Sequence, residues 1–299
     1  MSVSETRTVF VVLPGHKEDG DHYQLLQEET AVSAGRRHGL RTEVVYAPAF
    51  DQLRVTKRRL LDREPVDAVI IEPSSLSTME VLLRDLRGRT GLVLLNAWGP
   101  AVEEAFRSWG PERPFGTVST DHGVIGRIQA AQVRRLAAAG TVLVVTGPRR
   151  SSAAQERLAA FREAVGPAFE VCDIEAGEWT EAAGATAFGD WHRVFKARNL
   201  AVAAVAAQSD ELAIGVRNAI RALADPAQRS SLGAASLLGV DACPGYGRRL
   251  VDEGALTASV VTPANTALAL ERLSAFWTAR RALPLRSFTE PGPYPPTSV

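Results

Sequence analysis

Short apolar runs recur along this chain, each closed by a glycine or polar junction and followed by apolar positions at helical spacing. Residues 141–165, TVLVVTGPRRSSAAQERLAAFREAV, hold one complete example. Val142 to Val145 are continuously apolar, the pattern of a strand buried on both faces. Gly147 and Pro148 stop that strand, and Ser151 and Ser152 are N-cap candidates. Leu158, Phe161 and Val165 then recur at helical spacing, which predicts a helix.

The same reading predicts strands over 9–13, 42–46, 67–71, 92–95 and 115–119, with helices over 23–38, 50–63, 78–87 and 124–139. A Pro- and Gly-rich stretch over 99–113 reads as a linker. After residue 141 the alternation starts again, with strands over 169–174, 201–206, 237–240 and 256–261. Helices are expected over 181–199, from about 208 to 224, and over 264–281, and the Pro-rich tail over 290–299 is expected to be extended and poorly ordered. Such alternation means right-handed crossovers and parallel sheets covered by helices on both faces. The fold class expected is therefore α/β, with two successive doubly wound units and a cleft between lobes.

Composition narrows the function. The 299 residues carry 34 basic and 34 acidic side chains, a net charge of zero that gives no pull toward DNA or an anionic membrane. No apolar run approaches the roughly 18 residues of a membrane span. The two cysteines, Cys172 and Cys243, imply neither a disulfide framework nor a metal site. His16, Asp19, Asp21 and His22 are neighbours in a glycine-bearing loop, a setting more usual for solvated groups than for metal ligands, so no metal and no cofactor are expected. No dinucleotide fingerprint, P-loop, H-E-x-x-H, G-x-S-x-G or C-x-x-C motif is present, in keeping with a binder rather than an enzyme. The first strand is expected within ten residues of the start, leaving no room for a DNA-reading head, and no export signal precedes it as written. The expectation is a cytoplasmic protein as the sequence stands, or a periplasmic one if a leader has been removed.

In open parallel sheets, ligands sit at the carboxyl ends of strands and the helix starts beside them. Arg157 lies about one turn into the helix after residue 147, with a fork of donors that suits vicinal hydroxyls or a carboxylate. Ser151-Ser152-Ala153-Ala154-Gln155-Glu156-Arg157, with Phe161 after it, resembles the post-strand helix of the type I periplasmic sugar-binding proteins. That group includes ribose-binding protein and the effector cores of lactose-repressor-like regulators, and its arginine at this place grips sugar hydroxyls. Further segments match it. Glu72-Pro73-Ser74-Ser75 resembles the family's Asn-Pro-Thr-Asp turn, Gln208-Ser209-Asp210-Glu211 its Gln-Asn-Asp-Glu, and Gly239-Val240-Asp241 its Gly-Phe-Asp. Tyr23 and Trp179 stand where the family places aromatics around the sugar ring, and Thr262 where a glutamine often closes the site. Asn96-Ala97, followed by the bulky Trp98, replaces an Asp-Arg pair, and the first-loop Asn-Pro-Phe-Phe is missing.

The resemblance implies three crossings between lobes, near 119–121, 261–262 and 284–286, giving lobes of 1–120 plus 262–285 and 121–261 plus 286–299. It implies ligand contacts from Tyr23, Glu72, Asn96, Trp98, Arg157, Trp179, Ser209, Asp241 and Thr262. It also implies non-enzymatic binding of a sugar or polyol with hinge closure, as the solute-binding component of an ABC-type importer working with a permease. Two other roles stay open: a cytoplasmic sensor without a DNA-binding head that hands its state to a signalling partner, and an α/β enzyme with its site in the same cleft. Structural roles are open for the residues too, with Trp179 covering a core edge, Asp241 capping a turn and Glu72 a solvated carboxylate before proline.

Overall fold

Val9, Val11 and Leu13 turn to one face of the first strand, β1 (Thr8–Pro14), and Phe10 and Val12 to the other, and all five are buried. Such a strand has to be covered on both sides, and the remainder of its unit does this. The computed structural model of the chain describes residues 6–62, 64–195 and 201–296.

Two compact units are present: Met1–Thr120 with Ala264–Thr289, and Asp121–Pro263 with Glu290–Val299. The first contains β2 (Arg41–Ala47), β3 (Ala68–Ile71), β4 (Gly91–Leu95), β5 (Phe115–Thr120) and β11 (Arg286–Thr289). With β1 they form one parallel sheet in the order β11-β5-β4-β3-β1-β2. Helices α1 (His22–Arg37) and α11 (Asn265–Ala279) put Ala31, Ala34, Ala269, Leu270 and Leu273 against one face. On the other face lie α2 (Gln52–Leu61), α3 (Leu76–Leu86) and α4 (Pro100–Ser108), with Met79, Leu82, Leu86 and Val102 in that core.

The second unit repeats the scheme with β6 (Gly140–Thr146), β7 (Phe169–Glu175), β8 (Val202–Ala207) and β9 (Ser236–Leu238), parallel in the order β7-β6-β8-β9. Val142 and Val144 pack with α5 (His122–Leu136) and α6 (Ser152–Val165), through Ala130, Val133 and Phe161. Leu143 and Val145 pack with α7 (Glu181–Phe195) and α8 (Asp210–Arg221), through Phe188, Leu212 and Val216. Beside them, β10 (Ser259–Val261) pairs antiparallel with β12 (Gly292–Tyr294). Two short helices, α9 (Pro226–Gly233) and α10 (Gly247–Asp252), complete the unit.

Several expectations need correction. The linker expected over 99–113 contains α4, for which Pro100 supplies a first helical position that needs no N–H partner. Residues 286–289, expected with the second lobe, form β11 and hydrogen-bond in parallel with β5, so the third crossing follows Thr289. The second crossing follows Pro263 rather than 261–262, because the Thr262 N–H donates to the Asp241 carbonyl of the second unit. The tail is not loose where described, since β12 finds its hydrogen-bond partners on β10. Helices α9 and α10 were not foreseen. The expected helix ends at 63 and 196–199, and the tail beyond 296, lie outside the described residues.

Candidate functional site

At the carboxyl edge of the first sheet a connected set of polar groups replaces the apolar strand residues. Glu72 follows β3, and its carboxylate accepts from Gln24 Nε2 at 3.2 Å and Asn96 Nδ2 at 3.0 Å. Asn96 follows β4 at φ 48°, a left-handed conformation that asparagine tolerates better than most residues. Its Oδ1 accepts from Asn265 Nδ2 at 2.8 Å and Ser119 Oγ at 3.3 Å. Asn265, the buried first residue of α11, also donates to the Tyr23 hydroxyl at 3.3 Å and accepts from Thr289 Oγ1 at 2.9 Å. Gln52 holds the turn after Glu72 from below, donating to the Glu72 carbonyl at 2.8 Å and accepting the Ser74 N–H at 3.0 Å. Tyr23, Glu72 and Asn96 are thus brought into one network. Trp98 is not seen in it: its ring lies under the Arg286 guanidinium, 4.1 Å from carbon to centroid, and packs on the apolar core beneath.

In the second unit, Arg157 projects from the second turn of α6 and is 6% exposed despite its charge. Its NH1 donates to the Gln208 carbonyl at 2.6 Å, its Nε faces His122 Nδ1 at 3.4 Å, and its guanidinium carbon lies 5.7 Å from the Trp179 ring centroid. Gln208 is itself fixed, accepting the Gly147 N–H at 3.0 Å and donating to the Ala154 carbonyl at 2.9 Å. Trp179 passes directly over Gly147, where a Cβ would fall 2.1 Å from the ring. Burial and the neighbouring Arg157 charge hold the His122 imidazole well below its ordinary pKa, so the ring is neutral.

Asp241 follows β9 with φ 101°, and Ala242 after it has φ 40°. Two successive non-glycine residues on that side of the map are strained. Asp210, at the start of α8, holds them: its carboxylate accepts the Ala242 N–H at 2.8 Å and the Ser259 hydroxyl at 2.6 Å. Gly239 and Gly247 make room, because a Cβ on either would meet Asp210 oxygens at 2.0 and 1.9 Å. Burial, and then the charge of Asp241, push the Asp210 carboxyl well above the ordinary range. Thr262 is buried and donates its backbone N–H to the Asp241 carbonyl at 3.1 Å. Ser209 is placed differently from the rest: its Oγ accepts the Leu212 N–H at 3.1 Å as the N-cap of α8.

Sequence reasoning overlooked Gln24, Asn265, His122, Gln208 and Asp210. The last two flank Ser209 in Gln208-Ser209-Asp210-Glu211, and His122 follows closely on the strand predicted over 115–119. Asp19 Oδ2 accepts the His16 N–H and Asp21 caps α1, so two acids of the first loop serve its backbone. Among the described residues no His, Cys, Asp and Glu cluster could hold a metal, both cysteines are free, and no helix is long and apolar enough to cross a membrane.

Residues 105–270 match the family model of the periplasmic binding protein domain. No curated protein sequence matches the chain significantly. Among solved structures, it resembles a periplasmic solute-binding protein of an ABC transporter from Actinobacillus succinogenes 130z with bound D-allose. The TM-score is 0.77 at 16% identity, covering 97% of each chain. The Caulobacter myo-inositol binding protein superposes with a TM-score of 0.76 at 17% identity, over 98% of this chain and 94% of that one. A glucose-galactose binding protein from Geobacillus stearothermophilus gives 0.74 at 22% identity, over 97% of both.

Proposed function

The chain belongs to the periplasmic binding protein domain family, and on that premise we propose that it binds a sugar or polyol without turning it over. The two units serve as its two lobes, each offering the polar groups at its own carboxyl edge. The observation that carries this reading is the backbone of Asp241. A carboxylate-bearing residue stands at φ 101°, where glycine costs nothing, and a second residue, Asp210, is buried to keep it there. Strain of that kind is retained where the side chain has work to do.

The remaining groups suit a polyhydroxylated guest. Trp179 and Tyr23 offer faces for C–H surfaces, while Arg157, Asp241 and Glu72 offer charge-assisted partners to hydroxyls that lose water. Micromolar affinity corresponds to about −8 kcal/mol, within reach of a few such bonds and two stacked faces. Among the structural relatives, a periplasmic solute-binding protein of an ABC transporter carries D-allose and a myo-inositol binding protein carries myo-inositol, which supports a role as the solute-binding component of an ABC-type importer, outside the cytoplasm and in contact with a permease. The test is a thermal-shift screen with pentoses, hexoses and inositols followed by calorimetry on the responders, with the recovered ligand checked by mass spectrometry. A responder recovered unchanged supports binding alone. A converted one, or none that responds, would end the proposal.

A further inference from the structure

His122 belongs to no sequence motif, yet its chemistry is tightly specified. It is the first residue of α5 and 4% exposed. Its ring is neutral, so it carries one proton on one of two nitrogens. Nδ1 faces Arg157 Nε at 3.4 Å, and a guanidinium has only hydrogens to give. Nδ1 must therefore be the acceptor, and the proton is on Nε2. That Nε2–H is buried and has no hydrogen-bond partner. A buried unpaired donor costs free energy that a hydrophobic side chain of similar size would avoid. The orphan also stands beside a guanidinium that lies over the Trp179 ring.

From this we propose that His122 is a ligand-binding residue: its Nε2–H donates to a hydroxyl or ring oxygen of the guest, and its Nδ1 seats Arg157 beside the same guest. The proposal rests on the sugar-binding reading above. It assigns His122 a part in specificity, because a neutral N–H donor of fixed tautomer favours an oxygen that accepts at that one point and leaves a deoxy analogue unmatched.

Two substitutions separate the ligand role from a purely structural one. In His122→Asn the amide oxygen lies near the place of Nδ1, so Arg157 keeps an acceptor while the distal donor is lost. In His122→Gln the amide reaches the place of Nε2 and restores a donor there while the acceptor for Arg157 is lost. Calorimetry with D-allose, myo-inositol, D-galactose and D-ribose is run on all three proteins. For the probe bound best by the unaltered chain, His122→Asn should weaken binding about 10- to 100-fold, and His122→Gln should recover most of that loss. The opposite order, or equal losses, makes His122 a mere seat for Arg157 and overturns the inference while leaving sugar binding intact. Failure of all four probes with the unaltered chain overturns the sugar reading, and the inference with it. As a ligand-free check, nitrogen-15 NMR of labelled histidine should show His122 protonated at Nε2, and a proton at Nδ1 refutes the assignment outright.

Discussion

Asn96 Nδ2 lies 3.0 Å from Glu72 Oε1, joining the residue that follows β4 to the one that follows β3. Through its oxygen the same amide meets Asn265 and, beyond it, the Tyr23 hydroxyl. One asparagine therefore links three chain segments at the edge of a sheet, in a backbone conformation that also favours its side-chain type.

Asn96→Ala removes those bonds and places alanine at φ 48°. The expected cost is about 2–4 kcal/mol, the sum of the lost hydrogen bonds and the left-handed backbone. Urea unfolding should show it as a lower midpoint at unchanged slope. A variant as stable as the parent would mean that the network contributes nothing.

Much of this was legible beforehand, for a physical reason. Val9–Leu13 and Val142–Val145 are apolar on both faces, so a doubly covered parallel sheet follows from the residues themselves. Asp241 comes after a strand and Arg157 in the helix that follows one, the side on which such sheets present ligand sites, and the resemblance implies ligand contacts at both. What was not legible depended on contacts far along the chain. Nothing local marks residues 286–289 as a strand, because their partner is β5, some 170 residues away. Asn265 and Asp210 look like ordinary helix starts, and only the folded chain sets Asn265 beside Asn96 and Asp210 beneath Ala242. Trp98 and Ser209 show the converse, being placed at matching positions in sequence while one packs under Arg286 and the other caps its own helix.

Asp241→Gly sets stability against function. Glycine relieves the backbone at φ 101°, so the ligand-free protein should be as stable as the parent or more so by about 1 kcal/mol. Sugar affinity should fall by one to three orders of magnitude, on the order of 1.4 kcal/mol per tenfold. Thermal melts with and without ligand measure both. Retained affinity would remove Asp241 from the site.

His122 and Asp210, both buried, give opposite pH dependences. His122 is held below its ordinary pKa, so below about pH 6.5 the unfolded chain takes up a proton that the folded chain refuses, and stability falls with acid. Asp210 is held above its ordinary pKa, so its contribution is fullest below about pH 3.9 and is lost as pH rises toward the folded value. His122→Asn should flatten the decline in Tm below pH 6.5. Asp210→Asn keeps an acceptor for the Ala242 N–H and a donor for Ser259, and it should raise Tm more at pH 8 than at pH 5. Parallel Tm curves for a variant and its parent would contradict the corresponding assignment.

Gly147 tests whether Trp179 is placed or merely present. A Cβ at 147 would fall 2.1, 2.3 and 2.5 Å from three carbons of the Trp179 ring, so in Gly147→Ala the indole has to leave the place where it now meets the Arg157 guanidinium. Overpacking of this kind costs about 1–3 kcal/mol, but Trp179 is only partly buried and has solvent to move into, so the lower end is expected. Sugar affinity should drop by roughly tenfold or more, because a stacked face and the seat of a charged donor shift together. Calorimetry reads the affinity. Emission from tryptophan, compared with a Trp179→Phe control, reads the displacement. A blue- or red-shifted emission with unchanged affinity would leave Trp179 a cover for the core edge and nothing more.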